Sequence, residues 1–158
     1  VTNGGGFGVI VADHCSENGL EVPPPSPQLR EKLGSKFSTF YVVNNPVDLT
    51  GSACDRDYYI ALNACMIESD EYDAAIIIPL MAPQGMTEKV VDLITETMKR
   101  SRKPAVICTV GGAFTMKIKG LFEEREFPVY PSPERSARAM SMLLKRRVLQ
   151  DGAVRSAI

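Results

Sequence analysis

The sequence predicts an open, doubly wound α/β domain, and three observations predict it. Ala74-Ala75-Ile76-Ile77-Ile78 and Pro104-Ala105-Val106-Ile107-Cys108-Thr109-Val110 are apolar runs without polar alternation, as expected of strands covered on both faces. Stretches with apolar residues at helical spacing separate such runs, so strands and helices alternate along the chain. Loops rich in glycine or proline follow the strands: Gly4-Gly5-Gly6 after Thr2, Pro79 after Ile78, and Gly111-Gly112 after Val110. A length of 158 residues suits one domain, and 44% hydrophobic with 23% charged residues is the composition of a folded chain rather than a disordered one.

The elements follow in order. The first strand ends at Val1-Thr2 and reads as cut short; an opening on Val1, with no basic-then-apolar leader, reads as a domain from a longer or processed protein. A helix over 9–18 closes at Gly19, a favoured C-terminal glycine. Leu20-Glu21-Val22 is the predicted second strand, and 23–45 starts proline-rich and carries one short helical pattern, over 28–33. Tyr58, Ala61, Leu62 and Cys65 define a helix over 57–68. After the strand at 74–78, Val90, Val91, Leu93, Ile94 and Met98 define a helix over 87–100, with Thr87 as its N-cap and Lys99 and Arg100 at the negative end of its dipole. Strand 104–110, helix 113–125 and strand 128–130 come next. A last helix over 132–149 opens on Ser132-Pro133-Glu134, with proline in the first turn. The sum is five parallel strands in the flavodoxin-like order 2-1-3-4-5, a domain over 1–149, and a C-terminal tail over 150–158 that lacks core periodicity.

Eighteen basic residues against 19 acidic leave a net charge of −1, which gives no general attraction to nucleic acid or to an anionic membrane surface. No apolar run approaches the roughly 20 residues of a membrane helix. Cys15, Cys54, Cys65 and Cys108 form no C-x-x-C pair and read as small buried hydrophobes of a reducing, cytoplasmic compartment.

Open parallel sheets bind ligands beyond the carboxyl ends of their strands, where strand order reverses. The loop there is Thr2-Asn3-Gly4-Gly5-Gly6-Phe7-Gly8, which runs directly into a helix. Residues without side chains let backbone N–H groups approach an anion, and a helix N-terminus adds about half a positive charge, so a phosphate suits it. A tight turn serving only strand–helix packing explains the same glycines. The loop is neither G-x-G-x-x-G, because Val9 stands where the third glycine belongs, nor a Walker A loop, which needs Gly-Lys-Ser/Thr. In Asn44-Asn45-Pro46-Val47-Asp48-Leu49-Thr50-Gly51-Ser52, the polar residues cap a turn or meet a ligand. Leu80-Met81-Ala82-Pro83-Gln84-Gly85 falls beside the glycine loop. His14, the single histidine, lies two turns into its helix without partners at ligand spacing, so it is a poor metal or catalytic candidate. No catalytic residue and no metal site is predicted within the chain.

The run from Val1 to Val9 with Ala12-Asp13, the run Asn45-Pro46-Val47-Asp48-Leu49, and Pro128-Val129-Tyr130 with Pro133-Glu134-Arg135 resemble, in this order, three motifs of the nucleoside-diphosphate-forming acyl-CoA synthetases. That family includes ADP-forming acetate–CoA ligase and is related to succinyl-CoA synthetase. The resemblance covers nearly the whole chain and points to the second flavodoxin-like ligase domain, the one without the phosphorylated histidine. It implies that CoA, ATP and Mg are bound by partner domains and none by this one alone. The implied partners are a CoA-binding domain, a phosphohistidine-carrying domain and an ATP-grasp domain, with a small carboxylic acid as substrate and an oligomer as the full-length form. It further implies that Asn3, Gly4, Gly5, Gly6, Phe7 and Gly8, with Asn45, Asp48, Ala82, Pro83 and Gln84, bind the phosphoryl group or substrate. Phe7 stands where the family has proline, and Gly4 where it has alanine, which bears on the shape of the acyl pocket.

The expected function is therefore a domain of an acid–thiol ligase that helps stabilise the phosphohistidine and acyl-phosphate intermediates, inactive in isolation. The alternative is a non-catalytic regulatory or interaction domain of a ligase-like protein.

Overall fold

A computed structural model describes residues 1–155 of the chain, with side chains through Leu149. The helices are α1 (Gly5–Glu17), α2 (Pro27–Gly34), α3 (Asp55–Leu62), α4 (Lys89–Ser101), α5 (Ala113–Glu124) and α6 (Pro133–Arg155); the strands are β1 (Ala75–Ile77), β2 (Ala105–Cys108) and β3 (Val129–Tyr130). All three strands are parallel, in the order β1-β2-β3, with Ile77 opposite Ile107 and Cys108 opposite Tyr130.

Strand alternation divides the core into two layers. Ile77 and Ile107 join the large cluster that also holds Tyr58, Leu62, Val90, Val91, Ile94, Ile118 and Phe122, so α3, α4 and α5 cover that face. Ile76, Ile78 and Cys108 join the smaller cluster of Val11, Cys15 and Ala137, so α1 and α6 cover the other. Helices on both faces are the predicted doubly wound arrangement. Thr2 extends it beyond β1 through isolated parallel bridges to Ile78 and to Asp48.

Leu20-Glu21-Val22 is not a strand, and this corrects the sequence expectation. Pro23, Pro24 and Pro25 follow directly, and proline has no N–H to donate to a ladder. Leu20 and Val22 pack instead against the cluster around Val11 and Cys15. The place beside Thr2 goes to the segment around Asp48: Thr2 N–H donates to Val47 O at 2.9 Å and Leu49 N–H to Thr2 O at 2.7 Å.

Local chemistry sets the helix ends. Ser26 caps α2, its hydroxyl accepting the Leu29 N–H at 3.1 Å. At the head of α3, the Cys54 N–H donates to the Asp57 carboxylate at 2.8 Å, which starts the helix before the predicted position. The helix continues past Leu62 as a π-helical turn, Asn63–Ile67. Thr87 lies just outside α4, whose N-cap is Glu88. Gly19 ends α1 with φ +72°, a conformation glycine adopts without penalty. The helix α6 runs on through Leu149, so the predicted boundary between domain and tail falls inside a helix; residues 156–158 lie outside the described residues.

One cluster locks the end of the first strand to the loop after β1. Asn3, only 4% exposed, donates through Nδ2 to Leu80 O at 2.8 Å and accepts the Leu80 N–H at Oδ1 at 2.8 Å. The fully buried Tyr58 places its hydroxyl 2.8 Å from Asn3 Oδ1 and 2.7 Å from Ile78 O. Burial pushes the pKa of that hydroxyl well above its ordinary value, keeping it a donor. On the helical side, Gly8 seats α1 against the first strand: a Cβ there would lie 3.0 Å from Thr2 Cγ2 and 3.3 Å from Pro46 Cβ.

Two stability measurements check these contacts by urea unfolding. Tyr58→Phe removes one buried donor and is expected to lower stability by about 1 kcal/mol; an unchanged midpoint would show that the hydroxyl contributes nothing. Gly8→Val overpacks the helix–strand contact and is expected to lower stability by roughly 1–3 kcal/mol, whereas a neutral result would mean that α1 is not seated by this approach.

Candidate functional site

At the carboxyl edge of the sheet the backbone brings four loops together. Asn3 ties the glycine loop to Leu80. Thr109, following β2, donates its hydroxyl to Pro79 O at 2.6 Å. The Asp55 N–H donates to Gly85 O at 3.1 Å, joining the end of the loop after β1 to the head of α3. Asp48 stands against the glycine loop, since a Cβ at Gly5 would fall 2.5 Å from its Oδ2, and a Cβ at Gly4 would collide with the Leu80 side chain. The glycines here answer to close neighbours as well as to any ligand.

The head of α1 is the polar centre of this edge. Its N-cap is Gly4, which offers no side-chain cap, and no acidic residue lies in its first turn. The Gly4 N–H donates to Thr2 Oγ1 at 3.0 Å, and the Gly8 N–H to Gly4 O at 3.2 Å. Between them, the N–H groups of Gly5, Gly6 and Phe7 have no acceptor among the described residues. Gly6 is exposed and Gly5 and Phe7 half-buried, so the donors are within reach of solvent. Three open donors at the positive end of a helix are an arrangement that holds an anionic oxygen group. The Asp48 carboxylate, accepting the Thr50 N–H at 2.9 Å, flanks the donors on one side.

The remaining predicted site residues are placed as follows. Asn3 lies at this edge, but both ends of its amide are engaged inside the fold. Asn45 donates to Pro23 O at 3.0 Å, toward the opposite end of the sheet from the glycine loop. Ala82 and Gln84 are exposed and Pro83 half-buried in a turn closed by Met86 N–H to Pro83 O at 3.0 Å. Among the described residues, none of these three hydrogen-bonds to the glycine loop. His14 sits about 13 Å along α1 from Gly5 at 1.5 Å per residue, with Nδ1 2.8 Å from Glu17 Oε2. Among the described residues no group of His, Cys, Asp and Glu is arranged to hold a metal. Burial raises the pKa of Cys54, the thiol closest to this edge in sequence, so it is no thiolate nucleophile at neutral pH.

Tyr58 and Thr109 were not among the predicted site residues, yet both position it. The signal for Tyr58 is a phenol on the apolar face of a helix, since its buried hydroxyl must find a partner. Outward from the donors, α1 exposes Val9 at 59% and Ile10 at 46%, and the first turn of α5 exposes Phe114 at 43% and Met116 at 60%. An anion-ready helix head followed directly by the exposed Val9 and Ile10 is a surface that another domain can close.

Residues 1–139 match the Ligase-CoA domain. The chain is 30% identical over 148 residues to the acetate–CoA ligase (ADP-forming) I subunit alpha of Pyrococcus furiosus, covering 92% of this chain and 31% of that protein. It is 28% identical to the acetate–CoA ligase (ADP-forming) I of Archaeoglobus fulgidus, covering 96% of this chain and 22% of that one. Among solved structures, the apo acetyl-coenzyme A synthetase 1 of Ca. Korarchaeum cryptofilum superposes with a TM-score of 0.84 at 28% identity, covering 99% of this chain and 34% of that one. The same synthetase in complex with phosphate and ADP superposes with a TM-score of 0.83. The chain thus spans about a third of the length of the subunits it matches, and by the match over residues 1–139 it belongs to the Ligase-CoA domain family.

Proposed function

We propose that this chain is one domain of an ADP-forming acid–thiol ligase, and that the head of α1 holds a phosphoryl group while it moves between a carboxylic acid and a histidine on another domain. The observation that carries the reading is the trio of unpaired N–H groups at Gly5, Gly6 and Phe7. Phosphoryl transfer needs positioned donors more than a local base, because charge spreads over the equatorial oxygens of the group in flight. Donors on a backbone pinned by Asn3, Leu80 and Tyr58 do not have to reorganise as that charge develops.

In this reading Val9 and Ile10 meet the domain that carries the histidine, and closure removes water from the donors. Asn3 acts by position, holding the glycine loop and the loop after β1 at a fixed separation. In this reading CoA, ATP and Mg are bound by the other domains of the full enzyme. The isolated chain is then inactive, and the full enzyme is a cytoplasmic oligomer acting on a small carboxylic acid. The bridges at Thr2 fit a five-strand order 2-1-3-4-5 with the Asp48 segment in second place. A second reading, an interaction domain without a part in catalysis, draws support from the same exposed Val9 and Ile10.

Gly6→Pro separates the two readings. A Cβ at Gly6 meets nothing within 4 Å and proline is tolerated in the first turn of a helix, so the substitution deletes one donor at little structural cost. In the full-length enzyme, acyl-CoA formation from ATP, CoA and short carboxylic acids is expected to fall by roughly 10²–10³, with circular dichroism and Tm unchanged. Wild-type turnover would remove the phosphoryl role and leave the interaction reading. Inorganic phosphate is also expected to raise the Tm of the wild-type chain and not that of Gly6→Pro; an equal rise in both would place any bound phosphate elsewhere.

A further inference from the structure

The outer face of α6 carries an excess of positive charge that the ligase reading does not use. Residues 133–149 hold five basic side chains (Arg135, Arg138, Lys145, Arg146 and Arg147) and one acid, Glu134, in a chain of net charge −1. One side of the helix packs into the fold, where Ser136, Ala137, Met140 and Ser141 are buried. Helical spacing sets Arg135, Arg138, Met142 and Arg146 in a row on the opposite side, and all four are exposed.

The row is also one wall of a groove. With Tyr130 at the end of β3 and Leu143 on α6, it lines a space of about 540 Å³. Met142 is 57% exposed and Leu143 38%, so the groove joins open apolar surface to its arginines. Lys32, Lys117, Lys119 and Arg125 each meet a carboxylate of this chain within 2.7 Å. Arg135, Arg138 and Arg146, by contrast, form no ion pair among the described residues. Their forked donors remain free to take carboxylates two bonds at a time. From Arg135 to Arg146 the helix advances about 16 Å, at 1.5 Å per residue. A ligand matched to the whole row repeats its negative charge over that length and turns something apolar toward Met142.

We propose that this groove docks an acidic amphipathic helix of a partner polypeptide, with carboxylates opposite Arg135, Arg138 and Arg146 and an apolar side chain packed on Met142 and Leu143. A helix laid along α6 presents side chains three and four residues apart on one face, which is the spacing of the row. Tyrosine, methionine and arginine are also the residues favoured where proteins meet. A phosphate backbone offers nothing apolar to Met142 and Leu143, and the net charge of −1 gives nucleic acid no wider field to follow. The arginine pairs set register and speed the encounter, while burial of Met142 holds the complex. The inference uses no residue of the glycine loop and does not rest on the ligase reading.

Two fluorescein-labelled, alanine-based helical peptides test it. In the first, glutamates repeat the spacing of Arg135, Arg138 and Arg146, and a leucine takes the place of Met142 in that pattern; in the second, lysines replace the glutamates. Fluorescence anisotropy is expected to show the wild-type chain binding the glutamate peptide and not the lysine peptide. Arg138→Glu combined with Arg146→Glu is expected to weaken the glutamate peptide by at least roughly tenfold and to admit the lysine peptide. Met142→Ala is expected to weaken the glutamate peptide by roughly fivefold, through lost apolar contact. These side chains are exposed, so the variants are expected to keep the wild-type Tm. Failure of the glutamate peptide to bind the wild-type chain, or an unreversed preference in the charge-reversed variant, would overturn the proposal. So would displacement of the peptide by oligothymidylate together with wild-type affinity in Met142→Ala, which would make the row a site for a phosphate backbone.

Discussion

Asn3 makes its hydrogen bonds inside the fold, and the geometry of the carboxyl edge depends on them. Its amide bridges both backbone groups of Leu80 and meets the Tyr58 hydroxyl, so a strand end, a loop and a helix are held by one side chain. A planar amide fits this task because it donates and accepts in fixed directions. The site is desolvated, so each of these bonds is stronger than at the surface, and loss of any partner leaves a buried polar group unmatched. The glycine loop, the approach of Leu80 and the start of α1 all take their positions from that arrangement.

On this frame the head of α1 offers donors without side chains. Glycine at 4, 5 and 6 serves two needs together. At Gly4 and Gly5 a Cβ would meet the ends of the Leu80 and Asp48 side chains, which would have to shift to admit it. At Gly6 there is room, and the absence of a side chain instead leaves the N–H groups open to solvent. Packing and anion binding were competing explanations of one sequence pattern, and the structure divides them residue by residue. Asp48, beside Gly5, narrows the approach to the side away from its carboxylate.

The two edges of the sheet differ in chemistry. The carboxyl edge is closed by hydrogen bonds among loops and exposes Val9, Ile10, Phe114 and Met116 outward, a surface suited to a second domain. The amino edge carries an apolar cavity lined by Val11, Cys15, Leu62 and Met66. The short segment Val1–Thr2 stands between β1 and the Asp48 segment and leads directly into the glycine loop.

Much of the architecture was legible in the amino-acid sequence. The apolar runs at 74–78 and 104–110 needed cover on both faces, which requires helices on both sides of a parallel sheet. Helical periodicity placed α4 and α5 and the start of α6 to within a few residues, and Gly19 ended α1 because glycine enters positive φ without strain. Local pattern misplaced the second strand at Leu20–Val22, since strand pairing is settled by which distant segment presents free N–H groups, and the prolines after Val22 have none. The inward turn of Asn3, its closure by Tyr58 and the departure of Asn45 toward Pro23 likewise depend on residues tens of positions apart. Sequence by itself determined the class of fold and the glycine loop as the place to look, because periodicity and turn chemistry are local. Only the tertiary structure decided which glycines make room and which expose donors, because that depends on what the rest of the chain packs against them.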